Sequence, residues 1–171
     1  MTESKIEIVR ATCSDISEVK RFMFEFGPTE HNVVVDEPIS QEFDQISTGD
    51  TICFKALMAG RLVGIATCNT HRKFPKYESS DRKIGYLSQN VVLPELRGKG
   101  IGSELVRARK SFLLDQGVQA IYVTHHADNL GSAGALQHAG FVEVEAYPDP
   151  EKRLVGSRKT TVRRFELERV V

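Results

Sequence analysis

Two groups of residues have types and spacing suited to chemistry. The first is Arg97-Gly98-Lys99-Gly100-Ile101-Gly102, which follows the apolar run Val91-Val92-Leu93 and the break at Pro94. Beyond it Ile101, Leu105, Ala108 and Phe112 recur at i, i+4, i+7 and i+11, the spacing of an amphipathic helix. A strand, a glycine-rich turn and a helix leave backbone N–H groups bare at the helix start, where the dipole favours an anion. Glycine lets that backbone come close to a ligand and take positive φ. Arg97 and Lys99 add positive charge, so the turn is built to hold a phosphate. The second group is His125-His126, at the end of the β-rich run Gln119 to His126. Histidine changes charge near neutral pH and serves as a general base. Neighbouring strand residues face opposite ways, so His126 shares a face with Tyr122 and Thr124, and His125 leaves on the other. His126 is the first choice for a base.

Two common phosphate turns do not fit. A Walker A loop needs Ser or Thr after Gly-Lys, and Lys99 is followed by Gly100. A dinucleotide turn needs G-x-G-x-x-G; the last place falls on Ser103 counting from Gly98, and on Leu105 counting from Gly100. His125, His126 and Asp128 do not make a metal site, because adjacent strand ligands point apart and no third ligand is evident. No metal is expected.

The elements that must position these groups are readable from periodicity. A short strand at Ile6 to Arg10 precedes a helix carrying Ile16, Val19, Phe22, Met23 and Phe26, capped by Ser14 or Asp15 and ended by Gly27-Pro28. A second helix is expected from Ser40 to Ser47. Thr51 to Met58 and Arg61 to Thr70 read as a hairpin around Ala59-Gly60. A charged loop, His71 to Lys83, leads to the strand Gly85 to Leu93, where Tyr86, Ser88 and Asn90 alternate with Leu87, Gln89 and Val91. Either set would line a cleft beside that strand, and Tyr86 is a candidate proton donor. The glycine-turn helix ends near Gln116-Gly117. The next strand is a parallel neighbour reached by a right-handed crossover. Asn129 to Ala139 is a further helix, and Phe141 to Tyr147 and Thr161 to Val170 close the sheet as an antiparallel pair. The fold expected is α/β, a mixed sheet of about seven strands with about four helices, in one domain over 1–171. His31, His71 and His138 are expected at the surface.

The stretch from Gly85 to Phe141 resembles the GNAT superfamily of N-acetyltransferases. Arg97, Gly100 and Gly102 fit its signature Q/R-x-x-G-x-G/A, and Asn129 stands eleven residues before Gly140-Phe141, as in its N-x(n)-G-F ending. The resemblance implies a mostly antiparallel sheet whose two central parallel strands splay apart, and acetyl-coenzyme A as co-substrate. It implies that the pyrophosphate rests on Arg97, Gly98, Lys99, Gly100, Ile101 and Gly102, with Ser103 a weaker contact. The pantetheine arm would bond backbone groups of Val91, Val92 and Leu93 and the side chain of Asn129. A backbone N–H of the same strand would polarise the thioester carbonyl. The family's usual tyrosine, four residues before the final glycine, is Leu136 here, and the glutamate that some members carry five residues before the asparagine is Thr124. The implied activity is transfer of an acetyl group to a primary amine by direct attack on the thioester. The alternative is a catalytically weak module of the same fold that binds or senses acyl-coenzyme A.

Composition bounds the rest. Lys+Arg and Asp+Glu both number 23 in 171 residues, a balance that argues against a general nucleic-acid binder. No run approaches a membrane span, and Met1 to Ile6 has no signal-peptide character. Cys13, Cys53 and Cys68 are scattered, as reduced thiols in a cytoplasmic protein would be. A small-molecule amine is favoured over a protein as acceptor. The alternation in Thr161 to Val170 is a pattern able to pair two copies into a homodimer.

Overall fold

The computed structural model describes residues 4–71 and 74–168. Within these residues seven strands form one sheet: β1 (Ile6–Arg10), β2 (Ile52–Met58), β3 (Arg61–Asn69), β4 (Ile84–Val92), β5 (Ala120–His126), β6 (Val142–Pro148) and β7 (Lys159–Glu166). Their order is β1-β2-β3-β4-β5-β7-β6, and every pairing is antiparallel except β4 with β5. Among the described residues four α-helices flank it: α1 (Ile16–Phe26), α2 (Asp36–Asp44), α3 (Ile101–Asp115) and α4 (Leu130–His138). This is the mixed, mostly antiparallel sheet expected from the sequence.

Side-chain alternation decides which helix covers which face. On β5, Ile121 and Val123 pack with Leu87, with Val106 and Leu113 of α3 and with Leu136 of α4. Tyr122 points the other way and packs with Tyr86 and Val162. Thr67 of β3 reaches the α2 side chain Glu42, so α2 lies over the face away from α3. The two helix pairs thus sandwich the sheet, and any passage between its faces must go through the sheet itself.

Such a passage exists between the parallel strands. Pairing of β4 with β5 runs only from Ile84↔Ala120 to Leu87↔Val123. Beyond Leu87 the strands part. The departure coincides with a bulge: Ala66↔Asn90 and Cys68↔Leu87 leave two β4 residues, Ser88 and Gln89, opposite Thr67 alone. A bulge bends its strand and re-aims the residues beyond it. Arg109 of α3, 1% exposed, holds it open. Its Nη1 donates to Thr67 C=O and Gln89 C=O, both at 3.0 Å, and its Nε to Leu105 C=O at 3.1 Å. Burial lowers its pKa to about 10, still far above neutral, so the guanidinium stays charged.

Three features differ from the expectation. α2 begins at Asp36, not Ser40, because Pro38 sits in its first turn, where no N–H is needed, and Asp36 and Glu37 complement the dipole there. The β4 alternation fails at the bulge. β7 starts at Lys159 and is hydrogen-bonded to β5 on one side and β6 on the other, so the nominated C-terminal strand has no open edge; the edges belong to β1 and β6. Arg169 and Val170 of the expected last strand lie outside the described residues. Among the described residues no helix is long and apolar enough to cross a membrane. Cys53 and Cys68 are buried free thiols whose pKa burial pushes up to about 12, which leaves them unreactive.

Candidate active site

The gap between β4 and β5 opens into a cleft of about 770 Å³. On the α3 face its mouth is the glycine turn. Gly98 and Gly100 take left-handed backbone, with φ of +76° and +85°. No side chain caps α3 at Gly100, and the first ladder bond is Glu104 N–H to Gly100 C=O at 3.0 Å. The N–H groups of Ile101, Gly102 and Ser103 precede that bond and are left for an anion. A Cβ at Gly102 would lie 3.9 Å from both Asn90 Oδ1 and Val92 Cγ2, so this glycine lies against the free edge of β4.

That edge is the second component. Leu93 N–H donates to Val63 C=O and Gln89 N–H to Thr67 Oγ1, each at 2.9 Å. Strand residues two apart direct their N–H groups the same way. The N–H groups of 89, 91 and 93 therefore face β3, and those of Asn90 and Val92 face the gap. Of the candidate cofactor residues, Val91, Val92, Arg97, Gly98, Gly100, Ile101, Gly102, Ser103 and Asn129 come together along the cleft, whereas Leu93 and Lys99 are not part of its wall. Asn129 caps α4: its Oδ1 accepts Ser132 N–H at 3.1 Å, which leaves its Nδ2 group for the cleft. Leu136, 2% exposed, lines the same wall with an aliphatic side chain.

The opposite mouth is made by the segment after α1, by the end of β5 and by the loop between β6 and β7. His126 is buried, and both its nitrogens are engaged. Nδ1 accepts Asp128 N–H at 3.0 Å, so Nε2 carries the proton and donates to Val155 C=O at 2.9 Å. His31 packs on it, ring centroids 4.7 Å apart. The His31 ring makes no hydrogen bond among the described residues; Glu30 Oε1 is 3.7 Å from its Nε2. His125 leaves on the α4 face. Its Nε2 accepts Arg163 Nε–H at 3.0 Å, so the proton is on Nδ1, which donates to His126 C=O at 2.7 Å. Burial lowers the His125 pKa, helped by Arg163 and Arg153. Tyr86 stands apart from the cleft wall. It is 1% exposed, with its hydroxyl donating to Glu78 Oε1 at 2.9 Å under Phe74 and Tyr77.

The acetyltransferase (GNAT) family model matches residues 17–141, well over half of the chain. The chain belongs to the GNAT acetyltransferase family. Among curated proteins it is similar to an N-alpha-acetyltransferase MAK3 of Arabidopsis thaliana, 28% identical over 94 residues, 55% of this chain and 46% of that protein. The match thus spans under half the length of that relative. Among solved structures it resembles Arabidopsis thaliana NAA60 in complex with acetyl-CoA, with a TM-score of 0.73 at 14% identity over 95% of this chain and 99% of that one. A GNAT-family acetyltransferase from Streptococcus pneumoniae gives 0.72 at 16% identity over 95% and 100%. Those two likenesses establish the fold.

Within this GNAT domain three site residues escaped the sequence. His31, expected at the surface, is half-buried against His126; only a contact across some ninety residues reveals it. Arg109 was not singled out, although its place beside Leu105, Val106 and Leu113 on the buried side of the helix is a signal in the sequence. Arg153, in the β6–β7 loop, is 5% exposed and lines the mouth opposite the glycine turn. Among the described residues no group of three or more His, Cys, Asp or Glu side chains is placed to hold a metal ion.

Proposed function

We propose that this chain is an acetyl-coenzyme A-dependent N-acetyltransferase acting on a primary amine. The observation that carries the reading is the continuity of three features. An uncapped, glycine-lined helix start lies on one face of the sheet, a free β4 edge runs beside it, and the cleft passes through the sheet to a mouth lined by imidazoles. Donor and acceptor can then enter from opposite faces and meet in the gap. When bound, the co-substrate supplies an acyl thioester. The chain supplies the rest. N–H groups at the start of α3 hold the pyrophosphate, and backbone groups of Asn90 and Val92 bond the extended arm as an added strand would. A β4 N–H facing the gap stabilises the carbonyl oxygen as it gains negative charge. The amine nitrogen forms a bond to the carbonyl carbon, the carbon–sulfur bond breaks, and the thiolate departs along the wall that holds Leu136.

The amine must lose a proton. His126 is on the acceptor face, as strand alternation requires, but acts as a base only if Nδ1 releases Asp128 N–H. The proton acceptor we propose is therefore the His31–His126 pair, with His31 at its accessible end. Tyr86 keeps a role only through the Glu78 bond and the loop above it. The acceptor proposed is a small amine rather than a protein, the setting cytoplasmic, and a homodimer, where one forms, would join through β1 or β6.

The test is amine-dependent release of free thiol from acetyl-coenzyme A across a panel of primary amines, with the product identified by mass. Acetylated amine in stoichiometric match to thiol supports the reading. Tight binding of the coenzyme with no acetylated product from any amine would favour the acyl-coenzyme A-binding module instead.

A further inference from the structure

The loop between β6 and β7 closes over the acceptor-side mouth and is tied down along its length. Arg153 N–H donates to Asp149 C=O at 2.8 Å, Val155 C=O meets His126 Nε2 at 2.9 Å, and Ser157 N–H donates to Asp128 Oδ2 at 2.8 Å. Arg153 is 5% exposed yet lines the cleft. Its Nε donates to Thr160 Oγ1 at 2.8 Å. That hydroxyl donates in turn to Asp149 Oδ2 at 2.6 Å, so the nearest carboxylate takes its bond from the threonine. Nη1 and Nη2 have no hydrogen-bond or ion-pair partner among the described residues. Burial lowers the Arg153 pKa, and Asp149 opposes that through space without a direct bond, so a guanidinium bonded only to a neutral hydroxyl is poised for a closer anion from elsewhere. That anion is not a coenzyme phosphate, because Thr160 faces the same side as Val162 and Tyr122, the face away from the glycine turn. Among the described residues the one acid on the cleft wall is Glu30, whose side chain is 76% exposed.

We propose that Arg153 receives a carboxylate carried by the acceptor, so that the chain acetylates small amino acids in preference to uncharged amines. The planar guanidinium fork, already oriented by the Nε bond to Thr160, keeps its Nη1/Nη2 edge for a carboxylate. The proposal rests on the acetyl-transfer reading above and adds the class of acceptor.

The experiment compares kcat/KM for amino acids with that for their carboxamides, corrected to equal free-amine concentration, in wild type, Arg153→Met and Arg153→Lys. Wild type should prefer the acids by tenfold or more. Arg153→Met should lower kcat/KM for the acids by about 10²-fold, mostly through KM, as loss of one partner of a buried ion pair does, and leave the carboxamides within a few-fold. Arg153→Lys should recover part of the preference. Equal rates on acids and carboxamides in wild type, or an equal loss on both in Arg153→Met, would overturn the proposal. So would acetylation of amidated peptides in preference to free amino acids. A binding readout separates this outcome from failure of the transfer reading. Calorimetry of N-acetyl amino acids against their amides, with coenzyme A bound, should show a carboxylate preference that Arg153→Met abolishes, whether or not any acceptor is turned over. No such preference in wild type contradicts the proposal. Should Arg153→Met not fold, the wild-type preference and Arg153→Lys decide it.

Discussion

His126 has a donor on Nδ1 and an acceptor at Nε2, so its ring is held as one neutral tautomer between Asp128 and Val155. A ring fixed in this way is a good platform for His31, whose own nitrogens are not hydrogen-bonded to the described protein. The two variants should differ. His31→Gln should lower kcat by about 10²-fold, the usual size of general-base catalysis, without changing the melting temperature or the affinity for acetyl-coenzyme A. His126→Gln should lower both kcat and the melting temperature, because it removes the tie to the β6–β7 loop. Steady-state kinetics beside thermal melts will show whether the loss separates this way. An unimpaired His31→Gln would return the proton to His126 or to water.

Arg109 shows how an element depends on one side chain. Three carbonyls, two of them at the β4 bulge, take their bonds from it. Arg109→Met fills the space but takes the guanidinium bond from the Thr67 and Gln89 carbonyls, at about 1–3 kcal/mol each before relaxation, while Leu105 C=O keeps its helical N–H. A melting temperature lower by on the order of 10 °C is expected, with weaker coenzyme binding because the β4 edge loses its shape. Calorimetric scanning and a binding titration on this variant check both. The strand, turn and helix around Gly98 to Gly102 were legible because positive-φ glycines and a 3.6-residue repeat are local properties of the chain. The bulge was not. Ser88 and Gln89 satisfy strand alternation as well as any polar pair, and what displaces them is Arg109, twenty residues away on another element. For the same reason Tyr86 read as a cleft residue and proved to be packed under Phe74 and Tyr77. α2 starts four residues before the expected Ser40 because Pro38 is tolerated in a first turn.

On the scale of the molecule, the sheet separates two entrances and burial sets how the fold responds to acid. His125 is buried and neutral, with its pKa below the ordinary 6.5. The folded state therefore resists the proton that the unfolded chain accepts. Its stabilising contribution is complete above pH 6.5 and is lost as pH falls through the depressed folded value. Asp15, Asp128 and Glu145, held below their ordinary values by hydrogen bonds from Thr12, Ser157 and Tyr77, with Lys55 and Lys76 assisting at Asp15 and Glu145, add their own loss only at lower pH. His125→Asn should flatten the stability profile between pH 6.5 and the carboxylate range, measured by denaturant midpoints at several pH values. The cleft joining the two faces is what makes a donor-plus-acceptor reaction the natural reading of this molecule, and its donor half can be tested alone. Calorimetric titration of acetyl-coenzyme A into wild type and Gly102→Val is the direct measurement. A Cβ at Gly102 would lie at ordinary contact distance from Asn90 and Val92, so the fold should survive while the valine side chain blocks the approach to the turn. The account predicts one site per chain in wild type and an affinity more than tenfold weaker in the variant, with melting temperatures that agree closely. Equal affinity in both proteins, or no binding in wild type, would contradict it.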